Sequence, residues 1–288
     1  MFGKNPFCIV LIVLLTVSVQ AAYVTIGGTD VVADTATGYG GVNYSYQISQ
    51  YEVTGADFNA AATADSNVGD CQYDSLNGPA YYVSWNEAVK YCNWLTSGNA
   101  YLGAYTHDAG SFTGIDRAGA ISTYETVYVL PTEDEWYKAA YWRDDINDQW
   151  SLYAHGTDDT PTWGTASGWN YYDPDEGYAY DHDMWPAGYG AQEQNETYDM
   201  MGNAGEWTEN LYDASRHVVQ GGSHGFTANS LSSSARGGGY PDREYSNMGF
   251  RVAVIPEPSS VLLFLVGGIG AWILRRNRQD EELSQNFD

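Results

Sequence analysis

From Arg143 to Asn195 the chain shows neither the 3.6-residue period of a helix nor the alternation of a strand, and is rich in Asp, Gly, Tyr and Trp. Such a long irregular run is uncommon inside a compact domain unless it is functional or held by ions. The fold must therefore organise much of its mass with little regular secondary structure. The regular pieces lie on either side. A helical pattern begins at Thr54 in TGADFNAAATA. In VSWNEAVKYCNWLTSG (83–98), Ser84 and Glu87 have capping-box spacing, and Trp85, Ala88, Cys92 and Leu95 recur on one face. Gly98 stops that helix. In VLPTEDEWYKAAYW (129–142), Thr132 is a natural cap with Glu135 three residues on, and acids crowd the first turn, where the helix dipole favours them. Short strands are expected between Tyr23 and Tyr46, and in HVVQGG (217–222), SSSARGG (232–238) and MGFRVAV (248–254).

The two ends carry different information. MFGKNPFCIVLIVLLTVSVQAAY has one Lys, an apolar run from Phe7 to Val19 and a small-residue exit, the pattern of a secretory signal peptide cut after Ala21 or Ala22. PEPSSVLLFLVGGIGAWILRRNR (256–278) has a Pro-Glu-Pro triplet, an apolar run from Ser259 to Leu274, and Arg275, Arg276 and Arg278, which favour the cytoplasmic side. These parts, in this order at the C-terminus, resemble the PEP-CTERM sorting signal of Gram-negative bacteria. That resemblance implies handling by a membrane exosortase in species that secrete exopolysaccharide; a plain tail anchor is the alternative. The expected layout is a signal peptide (1–22), one domain (23–255), a sorting and membrane segment (256–278) and a short acidic tail (279–288).

The body keeps eight Lys or Arg against 32 Asp or Glu, near −24, which argues against nucleic acid or an anionic membrane surface as partner and is compatible with cation binding. Abundant Trp and Tyr can fill a core despite that charge. Of three cysteines, Cys8 leaves with the signal peptide; Cys71 and Cys92 can pair in an oxidising compartment and cannot alone form a zinc site.

The stretches YEVTGADF, VSWNEAVKYCNWL, LPTEDEWYKAA, YDMMGNAGEW, VVQGGS, SSAR and GFRVA, from about Tyr51 to Ala253, resemble the sulfatase-modifying-factor family in order and kind. The resemblance implies an α+β, formylglycine-generating-enzyme and C-type-lectin-like fold with little regular secondary structure. It also gives YDMMGNAGEWTEN (198–210) a role. Calcium takes six to eight hard oxygens, and a glycine-rich loop can turn carbonyls inward as a helix cannot. By resemblance, one calcium site uses Asp199, the carbonyls of Gly202 and Ala204, and Glu206. The other reading is that Asp199 and Glu206 cap turns and pair with Arg236 or Arg251. A second implied site draws on Asn170 and the carbonyl of Tyr171, with Asp181 and Asp183 from a later loop; a solvated acidic loop is its alternative. Family relatives usually carry an aromatic at the position of Gly205.

Copper is not expected. The enzymes of the family hold it through two cysteines after the Gly-Gly-Ser strand, and the matching GGSHGFTANSLSSSAR (221–236) contains none. The position of the family's structural disulfide partner for Cys92 is filled by Val252. The iron-dependent branch needs a histidine-bearing extra domain, whereas His107, His155, His182, His217 and His224 lie scattered. Gly221-Gly222-Ser223-His224-Gly225 fits a hydrolase nucleophile elbow, but FTANSLSSS is a poor helix former. The reading is an exported, non-catalytic, calcium-stabilised binding or structural module. It would begin as an inner-membrane-anchored precursor and end in the cell envelope or extracellular matrix, with exopolysaccharide or a matrix protein as ligand. Trp163, Trp169, Tyr171, Tyr172 and Trp185 are candidates for stacking on sugars, or core. The alternative is a formylglycine-generating oxidase or another metal-assisted enzyme acting around Asp181, Asp183 and Asp199.

Overall fold

Three wholly buried tryptophans, Trp85, Trp136 and Trp207, set the frame, because each indole N–H must find an acceptor inside the protein. Trp85 donates to the Thr208 carbonyl (2.9 Å), Trp207 to the Val83 carbonyl (3.0 Å), and Trp136 to the Glu206 carboxylate (2.6 Å). Two of the helices read from the sequence, those begun at Ser84 and Thr132, are thereby fastened to a single strand that carries Glu206, Trp207 and Thr208. The computed structural model describes residues 22–28, 31–71, 77–143, 150–164, 167–175 and 183–255. Nearly all of the expected signal peptide, and the whole sorting segment with its membrane run and tail, lie outside them. Among the described residues no helix is long and apolar enough to cross a membrane.

In chain order, β1 (Tyr23–Ile26) and β2 (Tyr46–Ser49) precede α1 (Gly55–Ala64) and α2 (Trp85–Ser97). Next come β3 (Tyr105–Asp108), β4 (Ser111–Ile115), α3 (Arg117–Thr123), β5 (Val127–Val129) and α4 (Glu133–Tyr141). After the irregular region follow β6 (Gly205–Leu211), β7 (His217–Gln220), β8 (Gly237–Gly239), β9 (Met248–Gly249) and β10 (Ala253–Ile255). Helices and sheets are mixed, as expected for α+β. Both expected capping boxes form, at Ser84 with Glu87 and at Thr132 with Glu135, and Gly98 ends α2 in the left-handed conformation.

One sheet has the order β1-β2-β10-β5, with all pairs antiparallel, so the first and last strands of the domain share a layer. The other four-stranded sheet runs β8-β7-β6-β9, with β6 and β9 parallel. MGFRVAV is not one strand. Met248–Gly249 belongs to the second sheet and Ala253–Ile255 to the first, and the segment between them carries Arg251 into the interior. SSSARGG contributes only its last two glycines to a strand.

The stretch without periodicity is held by side chains. Gln194 donates to the Ala140 carbonyl, and Asn195 donates to those of Ala139 and Trp142, so two amides satisfy the open carbonyls at the end of α4. Cys71 and Cys92 are not bonded to each other. Both are buried free thiols, with the Cys71 Sγ 3.3 Å from the Tyr81 carbonyl. The pairing open to an exported chain is thus not made.

Candidate functional site

The loop leading into β6 cannot be helical, because Glu196, Asp199, Gly202 and Asn203 all have positive φ. Gly202 is obligatory: a Cβ there would collide with the Asn170 carbonyl. Glu193 pins the loop from behind, accepting from the Thr197 hydroxyl (3.1 Å) and from the amides of Met200 (3.0 Å) and Met201 (3.1 Å). Asp199 accepts from the Gly188 amide at 2.6 Å. Asn203 is the hub: its Nδ2 donates to Glu52 (2.7 Å), and its Oδ1 accepts from Asn170 Nδ2 (3.0 Å) and the Trp185 amide (2.8 Å). Glu52 also accepts from the Ala204 amide.

Into this ring of acids comes one cation. Arg251, wholly buried, grips Glu206 with Nε and Nη2, both at 2.6 Å, and spends its remaining donors on the carbonyls of Ser49, Gln50 and Tyr198. Four buried carboxylates, Glu52, Glu193, Asp199 and Glu206, thus share one guanidinium. Burial, reinforced by Asp199 and Glu206, pushes Glu52 well above the usual carboxylate range. Burial likewise pushes Glu193 up to about 8 and Asp199 up to about 6.

The placement of the expected ligands can now be stated. Arg251 and Trp136 engage both oxygens of Glu206, Oε2 twice and Oε1 once, so the expected pairing with Arg251 is made. Asp199, the other side chain of the first calcium set, accepts from the Gly188 amide instead of pairing with an arginine. At the second set, Asn170 is buried and its Oδ1 has no hydrogen-bond partner among the described residues, which does fit a cation ligand. Tyr171 is buried beside it, with its hydroxyl donating to the Pro161 carbonyl. Asp183 is exposed, its carbonyl accepting from Asn170 Nδ2, and Asp181 lies outside the described residues. Among the described residues no group of three or more His, Cys, Asp or Glu side chains converges as a metal centre would.

Sequence reasoning did not single out Glu52, Glu193 or Asn203. Asn203 carried a signal, since Asn tolerates positive φ and sits in a Gly-Asn-Ala-Gly run. Glu52 and Glu193 carried none.

Beside β6, β7 and β8 lies a cleft of about 330 Å³. Gly221, Gly222, Gly237 and Gly238 line it, together with Phe226 and Arg236. Gly221 and Gly222 turn the chain out of β7 with positive φ. Ser223 follows, wholly buried, its Oγ accepting from Asn247 Nδ2, and only the 3-10 helix Ala228–Leu231 comes after it. A nucleophile elbow needs an exposed serine at a strand-to-helix turn, and this is not one. Glu133, at the start of α4, clamps Arg236 through Nε (2.7 Å) and Nη2 (2.9 Å). Of the aromatic residues considered for sugar stacking, Trp169 and Tyr171 are buried, while Trp163, Tyr172 and Trp185 are half-buried.

The solved structures this fold is similar to include the crystal structure of CarF, at 21% identity and a TM-score of 0.60, covering 81% of this chain and 97% of that one. Treponema denticola variable protein 1 is 19% identical with a TM-score of 0.57, covering 81% and 95% respectively. PvdO from Pseudomonas aeruginosa is 18% identical with a TM-score of 0.53, covering 81% and 91%. At these identities the likeness is one of fold. A search of curated proteins finds no match. The sequence profile of the sulfatase-modifying factor enzyme 1-like domain matches residues 16–255, and the chain belongs to that family.

Proposed function

We propose that this chain is an exported, non-catalytic binding or structural module of the bacterial envelope or exopolysaccharide matrix. The observation that carries the reading is the chemistry of the cleft wall. By the family resemblance, the segment from Gly221 to Arg236 matches the one that holds two copper-binding cysteines in the formylglycine-generating enzymes, and here it supplies glycine, serine and a clamped arginine. None of these is the soft ligand that Cu(I) requires. The two thiols of the body lie elsewhere, and burial holds that of Cys92 well above its ordinary value, so it is not a ready thiolate.

Export and sorting by an exosortase rest on the two terminal segments, and the proposed itinerary passes through an inner-membrane-anchored precursor. Calcium, as a stabilising ion, is proposed at the Asn170 end of the loop network, where a buried amide oxygen stands without a partner.

The test is binding of the full chain, purified in detergent, to exopolysaccharide extracted from a PEP-CTERM-bearing bacterium, with an unrelated acidic protein of similar charge as the control. Retention above the control is expected, and equality with it removes the ligand half of the reading. Incubation of the chain with copper and a CxPxR peptide, followed by peptide mass spectrometry, tests the catalytic half. No aldehyde is expected, and its appearance would overturn the proposal.

A further inference from the structure

The exposed or partly exposed arginines of this acidic protein are not spread evenly. Three of them, Arg216, Arg236 and Arg243, alternate with tyrosines along the β8 edge of the second sheet. Arg243 lies over the Tyr240 ring (5.0 Å), and Tyr240 is close enough to Arg216 to act on it electrostatically. Arg216 lies over Tyr212 (4.7 Å), as does Arg236 from another direction (4.8 Å), and Arg236 also lies over Tyr39 (5.3 Å). The Tyr212 ring rests against Gly238, where any Cβ would strike it, so this ladder forms one rim of the glycine-lined cleft.

Arg236 is the joint between the rim and the cleft. Tyrosine rings on either side and the two bonds to Glu133 fix its plane, and it lines the cavity. Both of those bonds use Nε and Nη2. Nη1 makes no hydrogen bond to the protein among the described residues, which leaves two oriented N–H donors on a rigid group. At Arg216 the charge is balanced, because Asp213 pairs with it at 2.6 Å.

We propose that the cleft and its arginine–tyrosine rim bind a neutral sugar chain, an inference that rests on the module reading above and names its ligand class. Sugar rings have an apolar C–H face that packs on exposed aromatic surface, offered here by Tyr240, and a hydroxyl edge that takes guanidinium N–H bonds, offered by Arg236, which Tyr212 orients. The glycines let a ring approach the backbone closely. The cleft is at the lower end of the roughly 300–1,000 Å³ common for small-molecule sites, so it holds a short stretch of chain while the rest lies along the ladder. Neutrality follows from charge. Glu133 and Asp213 offset two of the arginines, and a chain with net charge −25 repels polyanions at long range.

The experiment is affinity electrophoresis of the full chain in detergent through gels containing dextran, laminarin or mannan, with alginate as the anionic comparison. Wild type is expected to be retarded by at least one neutral polymer and not by alginate. Tyr212→Ala and Arg236→Lys should each weaken that retardation at least tenfold, with unfolding curves confirming that the variants are folded. Tyr240→Ala, at the exposed outer end, should weaken it a few-fold and serves if the other two do not fold. Variants that bind like wild type would place the sugar elsewhere and overturn this site while leaving the module reading intact. Retardation by alginate alone would overturn the neutral assignment. No retardation by any of these gels, with the extracted exopolysaccharide still bound, would overturn the ligand class only. Loss of that binding as well would remove both readings.

Discussion

Two arginines organise this molecule, Arg251 wholly buried and Arg117 half-buried, and their surroundings differ. Arg117 meets two carboxylates and bonds both: Glu135 through Nη1 (2.9 Å) and Nη2 (3.1 Å), and Glu209 through Nε (3.0 Å). Tyr44 and Tyr105 complete the shell by donating to Glu135 and Glu209. Burial works to raise Glu135, yet Arg117 holds it below the ordinary glutamate value. Of the four carboxylates around it Arg251 bonds only Glu206, while Glu52, Glu193 and Asp199 stand nearby with raised values. The first site is closed by hydrogen bonds, since both of its acids meet the guanidinium directly, although burial still raises Glu209 above the ordinary glutamate value. The second carries more acid than its cation can offset, so it must take up protons or a further cation.

The largest effect is expected from removing the cation of the second site. Arg251→Met leaves Glu206 buried without its cation, a loss of about 3–5 kcal/mol in urea unfolding. Arg117→Met should cost less, about 2 kcal/mol, because its side chain is 19% exposed and water can reach the freed acids. A larger loss at Arg117 than at Arg251 would break the comparison and mean that the second cluster is already neutral without its arginine.

The two sites also differ in how well the sequence announced them. Thr132 and Glu135 lie three residues apart, so the box that places Glu135 is local and readable, as is the box at Ser84. Asp199 and Glu206 stood out because a pliable loop separates them. Glu52 meets that loop from the other end of the domain and Glu193 from a few residues upstream, both through contacts that leave no periodic trace. Arg251 enters the cluster because MGFRVAV changes sheets partway along, and strand periodicity cannot show which sheet a residue joins. The hairpin of β3 and β4, turning at Ala109 and Gly110 with positive φ, was also not read, since its exposed strands lack a clear apolar face. The irregular region was legible as irregular. The amides of Gln194 and Asn195 that hold it were not, because they act on carbonyls more than fifty residues back.

A pH titration sharpens the contrast. An acid whose folded pKa is raised keeps its proton longer in the native state, so its stability contribution is full below the unfolded value and is lost as pH rises through the folded one. For Glu193 that window runs from 4.5 to about 8, and for Asp199 from 3.8 to about 6. The melting temperature should therefore fall from pH 5 to pH 8. Asp199→Asn keeps the bond from Gly188 and suits the left-handed backbone, and should gain about 1 kcal/mol at pH 8. Calcium should raise the wild-type melting temperature more at pH 8 than at pH 5, with excess EDTA reversing the gain and elemental analysis confirming removal of the metal. A flat profile in both media would mean that the acids are compensated as fully as those around Arg117.

The smallest effect tests whether the closed site is built by its helix. Thr132 accepts from the Glu135 amide (3.1 Å), and Glu135 accepts in return from the Thr132 amide (2.7 Å) while holding Arg117. Thr132→Ala removes the first bond and leaves the second, so unfolding should show a loss of about 1 kcal/mol. If the cap only satisfies a helix end, that loss will be the same in the Arg117→Met background. If it also fixes the Glu135 carboxylate for the guanidinium, the two losses will fail to add by about 0.5 kcal/mol or more. Non-additivity is the expected result, because the lost bond holds the Glu135 backbone from which the carboxylate reaches Arg117. Strict additivity would make the capping box and the ion pair independent, and the closed site would then owe its geometry to the tyrosines and the Leu130 carbonyl instead.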